Sequence, residues 1–158
     1  MANTQSMTTS FMSELLTATH NFGTAPIRAA TTADTFKAAL YLASATINAS
    51  TTAYSASGEV SGTGYSAGGV TVTNATAPAF TNTSATAGTA YWTPSASITY
   101  TTVTLTTAFD AVLIYNSTQR NKAVSVHTFG SQTITAGTFT LTMPSNTTST
   151  ALLRLATT

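Results

Sequence analysis

The sequence predicts an all-β fold, an antiparallel β-sandwich or jelly roll that carries a short helix or arm at its N-terminus. Three observations lead there. Threonine is the commonest residue, and its branched Cβ is stiff at χ1 and suits a pleated surface. Apolar residues alternate with period two along several stretches. Turn-forming clusters separate these stretches at roughly 8–12 residues, the rhythm of a sandwich or jelly roll.

Composition sets the outer bounds. A chain of 158 residues suits one domain with a core of its own. We expect an N-terminal arm over 1–30 and a single β-sandwich domain over 31–158. Charged residues make up 6% of the chain, against roughly 25% in an ordinary soluble domain. The net charge of +1 argues against charge-driven disorder. No apolar run reaches the roughly 20 residues of a membrane-spanning helix. Without cysteine there is neither a disulfide framework nor a thiolate metal site. Met1–Ser10 is polar and lacks an apolar core, so no secretory signal is expected. A nearly neutral surface of threonine and serine tends to associate, which suits a part of an assembly.

The elements follow in order. Ser10–Leu16 is the helix candidate, with Ser10 as cap and Glu14 placed to favour the helix dipole. Phe11 and Leu15, then Met12 and Leu16, fall at i, i+4 spacing. Asn21–Gly23 should end it. From Thr35 the period is two, with Phe36, Ala38, Leu40 and Leu42 on one face and Lys37, Ala39 and Tyr41 on the other. A long glycine-bearing loop spans Ala43–Gly69. Val70–Thr73 reads as a short strand. Asn74–Ser97 is the least patterned stretch, anchored by Phe80, Tyr91 and Trp92. Val103 and Leu105 alternate with threonines. Ala111–Tyr115 is apolar on both faces, as in a central buried strand. A polar turn over Asn116–Asn121 precedes an alternating strand, Lys122–Phe129, with Val124 and Val126 on one side. Thr133–Met143 reads as one bent strand or two, ended by Pro144. Ala151–Leu155 is the last strand.

Chemistry-bearing residues are few. The four acids are Glu14, Asp34, Glu59 and Asp110, and the histidines are His20 and His127. Nothing in the acids' spacing suggests a catalytic pair, so turn and cap roles are expected. His127 has Ser125 and Phe129 at i±2 where a metal site would want ligands. No Gly-x-Ser-x-Gly elbow is present. The glycines of Gly58–Gly69 precede a strand and no Gly-Lys-Ser/Thr follows, so turn chemistry is favoured over a phosphate cradle. The five basic residues form no patch for nucleic acid. Five Asn-x-Ser/Thr triplets, at Asn48, Asn74, Asn82, Asn116 and Asn146, are what chance gives in so threonine-rich a chain. We therefore expect no catalytic residue, metal or other cofactor. Tyr54, Tyr65 and Trp92 could contact a sugar or a partner if exposed, or fill the core beneath a loop.

Several runs together resemble a family. Asp34-Thr-Phe-Lys-Ala-Ala-Leu-Tyr, Ala45-Thr-Ile-Asn-Ala, Thr52-Ala-Tyr and Glu59-Val-Ser-Gly-Thr-Gly-Tyr-Ser-Ala-Gly-Gly are similar to segments of small bacteriophage virion structural proteins. Ala111-Val-Leu-Ile-Tyr-Asn, Ala123-Val, Phe129-Gly, Phe139-Thr-Leu and Pro144 fit the same pattern. The likeness runs from about Thr35 to the end and is most specific at Glu59–Tyr65. Members usually carry a tryptophan in the strand before the Leu-Ile-Tyr-Asn strand. Here that strand is Thr101–Thr106, and Trp92 lies upstream. The resemblance implies a particle component; with no basic patch and no apolar run of spanning length, neither nucleic-acid nor membrane contact is expected. The leading expectation is a capsid decoration, or cement, protein on the outer surface of the shell. It would bind the major capsid protein and its own copies, as a homotrimer. Phe11, Met12, Leu15 and Leu16 of the arm would then be the contact residues. The alternative is a tail or adsorption component whose Tyr54, Tyr65 and Trp92 touch host glycan. An enzyme such as a polysaccharide depolymerase is disfavoured by the shortage of acids.

Overall fold

A computed structural model describes residues 3–16, 19–20, 22, 33–82 and 88–156 of the chain. The fold is all-β and antiparallel apart from one short helix. In chain order the elements are β1 (Ser6–Met7), α1 (Thr9–Leu16), β2 (Phe36–Leu42), β3 (Val70–Thr71), β4 (Ala79–Asn82), β5 (Gly88–Trp92), β6 (Ile98–Asn116), β7 (Lys122–Leu141) and β8 (Leu153–Ala156). Five strands form one sheet in the order β1-β7-β6-β2-β3, and three form a second in the order β4-β5-β8.

The long β6–β7 hairpin is the spine. Its two strands absorb four stretches that read separately in the sequence. They stay continuous because register shifts interrupt the alternation without ending the pairing, for example between Tyr100 and Val103 and between Phe109 and Ala111. Such bulges add a residue on one strand and increase local twist. At the far end the chain reverses through Arg120 and Asn121, both at positive φ.

The large sheet is buried on both faces. On one face Phe36, Ala38, Leu40, Val112, Ile114 and Val124 pack with Trp92 and Leu153 of the small sheet and with Phe11 of α1. On the other, Ala39, Tyr41, Ala111, Leu113, Tyr115 and Val126 are roofed by Ala45, Ile47 and Tyr54 of the 43–57 loop. This two-sided burial accounts for the apolar runs of β2 and β6, since a strand covered on both faces has no position left for a polar alternation.

One strand departs from expectation. Val124 and Val126 do not share a face: Ile114 pairs with Ser125 and Tyr115 with Ala123, so a bulge at Val124 turns it into one core and leaves Val126 in the other.

The N-terminal segment is laced onto the body. Asn3 bridges Leu42 O, Asp110 Oδ1 and Ile47 N. Ser6 and Met7 add a strand to β7 opposite Val126 and Ser125. The Thr8 hydroxyl faces the carbonyls of Ala123 and Val124. The helix begins one residue before the expected cap, so Ser10 lies within it, and its Oγ has no hydrogen-bond partner among the described residues. The expected stop at Asn21 and Gly23 lies outside the described residues, and the helix itself ends at Leu16.

Candidate functional site

Two polar clusters gather three of the chain's four acids and one of its two histidines. The first lies at the β6–β7 turn, where the N-terminal segment meets the body. Asn116 ends β6 fully buried. Its Oδ1 accepts the backbone N–H groups of Thr118 and Gln119, both at 3.1 Å. That fixes the amide, so Nδ2 must point the other way. It donates to Asp34 Oδ2 at 2.8 Å and to His20 Nδ1 at 3.1 Å. Nδ1 therefore acts as an acceptor, which leaves the proton of the imidazole on Nε2. Nε2–H donates to Glu14 Oε2 at 2.7 Å, and the other oxygen of Glu14 meets Lys122 Nζ at 2.5 Å. Gln119 Nε2 adds a bond to Asp34 Oδ1. Burial is the main cause that lowers the pKa of His20, against the opposing pull of the Glu14 and Asp34 carboxylates. The neutral ring suits its acceptor role.

This cluster corrects the helix-dipole role expected for Glu14. Glu14 lies beyond the first turn of the helix, where it does not favour the dipole; it joins Lys122 to His20 instead. His20 joins Glu14, six positions away, to Asn116, ninety-six positions away.

The second cluster surrounds Glu59. One oxygen accepts the Tyr54 hydroxyl at 2.6 Å. The other accepts the Tyr65 hydroxyl and the Gly68 N–H, both at 2.7 Å. The Tyr65 oxygen in turn accepts the Leu40 N–H of β2. Tyr115 donates to Gly68 O and stacks on Tyr54. The loop that follows Glu59 lies directly on strand backbone. A Cβ on Gly62 would stand 2.0 Å from Thr104 O, and one on Gly69 1.7 Å from Ala38 O. Glycine there is a steric requirement of close backbone approach. Burial, reinforced by the negative Glu59, raises the pKa of Tyr54 and Tyr65.

The residues expected to contact partners fall into place accordingly. Phe11 is 2% exposed and packs edge-on against His20 and Phe22, and Leu15 leans on the same core. Phe11 serves the chain's own interior, a correction to its expected role as a partner contact, and Leu15 is half-buried against that interior. The side chains of Met12 and Leu16 lie outside the described residues. Trp92 is likewise buried, its indole N–H donating to Thr76 O and its ring against Phe22 and Phe36. It fills the core and is not an exposed contact. Tyr54 and Tyr65 are half-buried with their hydroxyls engaged by Glu59.

His127 sits on β7 with its Nε2 2.9 Å from Ser125 Oγ, and burial pushes its pKa down to about 4. Among the described residues no three His, Asp or Glu side chains gather as a metal site, and no helix is long and apolar enough to cross a membrane. No family model, curated protein or solved structure matches the chain.

Proposed function

We propose that the chain is a structural component of a bacteriophage particle, and specifically a decoration protein on the outer surface of the capsid shell. The resemblance centred on Glu59–Tyr65 supports the particle reading. The observation that carries the decoration reading is the outer half of the β6–β7 hairpin. It exposes Thr99, Thr101 and Thr106 on one strand and Thr133, Thr135, Thr138 and Thr140 on the other, with no charged side chain from Gly130 to Leu141. Such a surface offers shape, hydroxyls and strand backbone with little charge repulsion, which suits many identical modest contacts on a closed lattice. The two polar clusters support the same reading, because Glu14, Asp34, Glu59 and His20 are engaged in holding the fold. The two sheets read as a lopsided β-sandwich, with the N-terminal segment strapped across it.

Copy number tests the proposal. Densitometry of purified particles against the major capsid protein should give hundreds of copies per particle. A handful, in multiples of three or six, would move the chain to the tail and make host contact the leading role. Absence from washed particles would refute the particle reading.

A further inference from the structure

Phe80 and Leu155 are the two large apolar side chains left exposed among the described residues, at 75% and 44%. Their positions are related. Phe80 pairs with Ala90 and Ala90 with Leu155 across the small sheet, and cross-strand partners project on the same face. One row of that sheet, Phe80–Ala90–Leu155, is therefore an open apolar strip. Its neighbouring row, Trp92–Leu153, is buried in the core. The apolar face of the small sheet thus continues beyond its buried row.

Beside this strip lies a cavity of about 120 Å³ between the sheet and the N-terminal segment. Phe11, Phe22, Trp92 and Leu153 form its depth and Ala90 and Leu155 part of its rim. None of its lining side chains is charged. A benzene-sized guest occupies a cavity of roughly 150 Å³, so the space is on the scale of a phenyl ring. The same chain thus presents an aromatic knob, Phe80, and an apolar socket that no described residue fills.

We infer that Phe80 of one copy seats in the socket of a second copy, making this face the self-association surface of the protein. The net charge of +1 and the uncharged lining remove the repulsion that would oppose identical faces meeting. An aromatic anchor in a desolvated pocket is the usual centre of such a contact. The inference deepens the particle reading, in which copies lie side by side, but its test is independent of particles.

The experiment is sedimentation equilibrium of the purified full chain over a wide concentration range, with circular dichroism to confirm folding. Wild type should rise above the 16.2 kDa monomer. Phe80→Asp removes the knob and Leu155→Arg blocks the rim. Both positions are exposed, so both variants should fold, and each should weaken association by at least about tenfold. An equimolar mixture of the two should regain association, because Phe80→Asp keeps an open socket and Leu155→Arg keeps the knob. A wild type that stays monomeric throughout, a Phe80→Asp variant that associates like wild type, or a mixture without recovery would each overturn the inference. A monomeric wild type whose particle occupancy falls with Phe80→Asp would also overturn it, assigning the knob to the shell and leaving the particle reading intact. Association through Phe80 in a protein absent from particles would sink the particle reading alone.

Discussion

The Glu59 carboxylate makes the sharpest demand on the structure. It accepts three hydrogen bonds, from Tyr54, Tyr65 and Gly68, and ties the glycine loop to β2 through Tyr65 and Leu40. Glu59→Ala removes the acceptor for all three donors. A hydrogen bond to a charged group contributes about 1.5–3 kcal/mol, and a buried donor left unpaired costs about 1–3 kcal/mol. Tyr54 can turn to water, whereas Tyr65 and the Gly68 N–H are held beneath the loop. Two donors at about 2 kcal/mol each give a loss of about 4 kcal/mol. At roughly 2–4 °C per kcal/mol for a chain of this size, Tm should fall by about 8–16 °C. Glu59→Gln keeps one oxygen facing Tyr65 and Gly68, and should cost only about 1–2 kcal/mol. Tyr65→Phe should cost more than Tyr54→Phe, because it also strands the Leu40 N–H. Urea unfolding followed by circular dichroism measures each variant, and a double-mutant cycle of Glu59→Ala with Tyr65→Phe should show coupling of about 1 kcal/mol or more. A Glu59→Ala protein within about 1 kcal/mol of wild type, or additive behaviour in the cycle, would refute the keystone role.

The remaining expectations concern pH and backbone contact. Burial lowers the pKa of both histidines, that of His127 to about 4. As pH falls below about 6.5 the unfolded chain takes up protons that the folded chain refuses, so stability drops toward pH 4. The loss from His127 should be about 3 kcal/mol, and His127→Gln should flatten the slope measured by urea unfolding across that range. Burial moves the buried tyrosines the other way, Tyr41 to about 12 and Tyr65 and Tyr100 also upward. Their contribution is complete below about pH 10 and is lost above it. Tyrosinate absorbance should therefore appear together with unfolding in an alkaline titration, and tyrosines that titrate freely in a folded chain would contradict the burial. Gly69→Ala places a methyl 1.7 Å from Ala38 O at φ +69° and should cost about 3 kcal/mol or more. Gly130→Ala, with nothing within 4 Å, should stay within about 0.5 kcal/mol of wild type in the same denaturation assay.

What was legible in the sequence follows from how local each signal is. The faces of β2 are, because six residues, Phe36 to Tyr41, pair with β6 in unbroken register and keep their alternation. The apolar run of Ala111–Tyr115 announces two-sided burial for the same reason. Alternation fails as a guide where a bulge resets it. Val124 and Val126 look like face-mates because nothing in their spacing records the extra residue between Ala123 and Ser125. The same resets hide the unity of β6 and β7, whose outer halves read as separate strands. The small sheet is harder still, since only Trp92 and Leu153 of its cross-strand rows are deeply buried, while Phe80 and Leu155 stand exposed.

The polar clusters show a different limit. Asn116 reads as the start of a turn, which it is, through Thr118 and Gln119. Its second role, orienting His20 and Asp34, depends on residues eighty-two and ninety-six positions away and leaves no local trace. Glu59 was more accessible to reasoning. A single acid within a run of glycines and tyrosines, in a chain almost devoid of charge, must either face water or find donors, because an unpaired buried carboxylate is too costly. The nearest tyrosines in sequence, Tyr54 and Tyr65, are the ones it uses. In a chain so poor in charge, each acid that is buried acts as an organising centre, and the hydroxyls and amides around it are the places where substitution should be felt most.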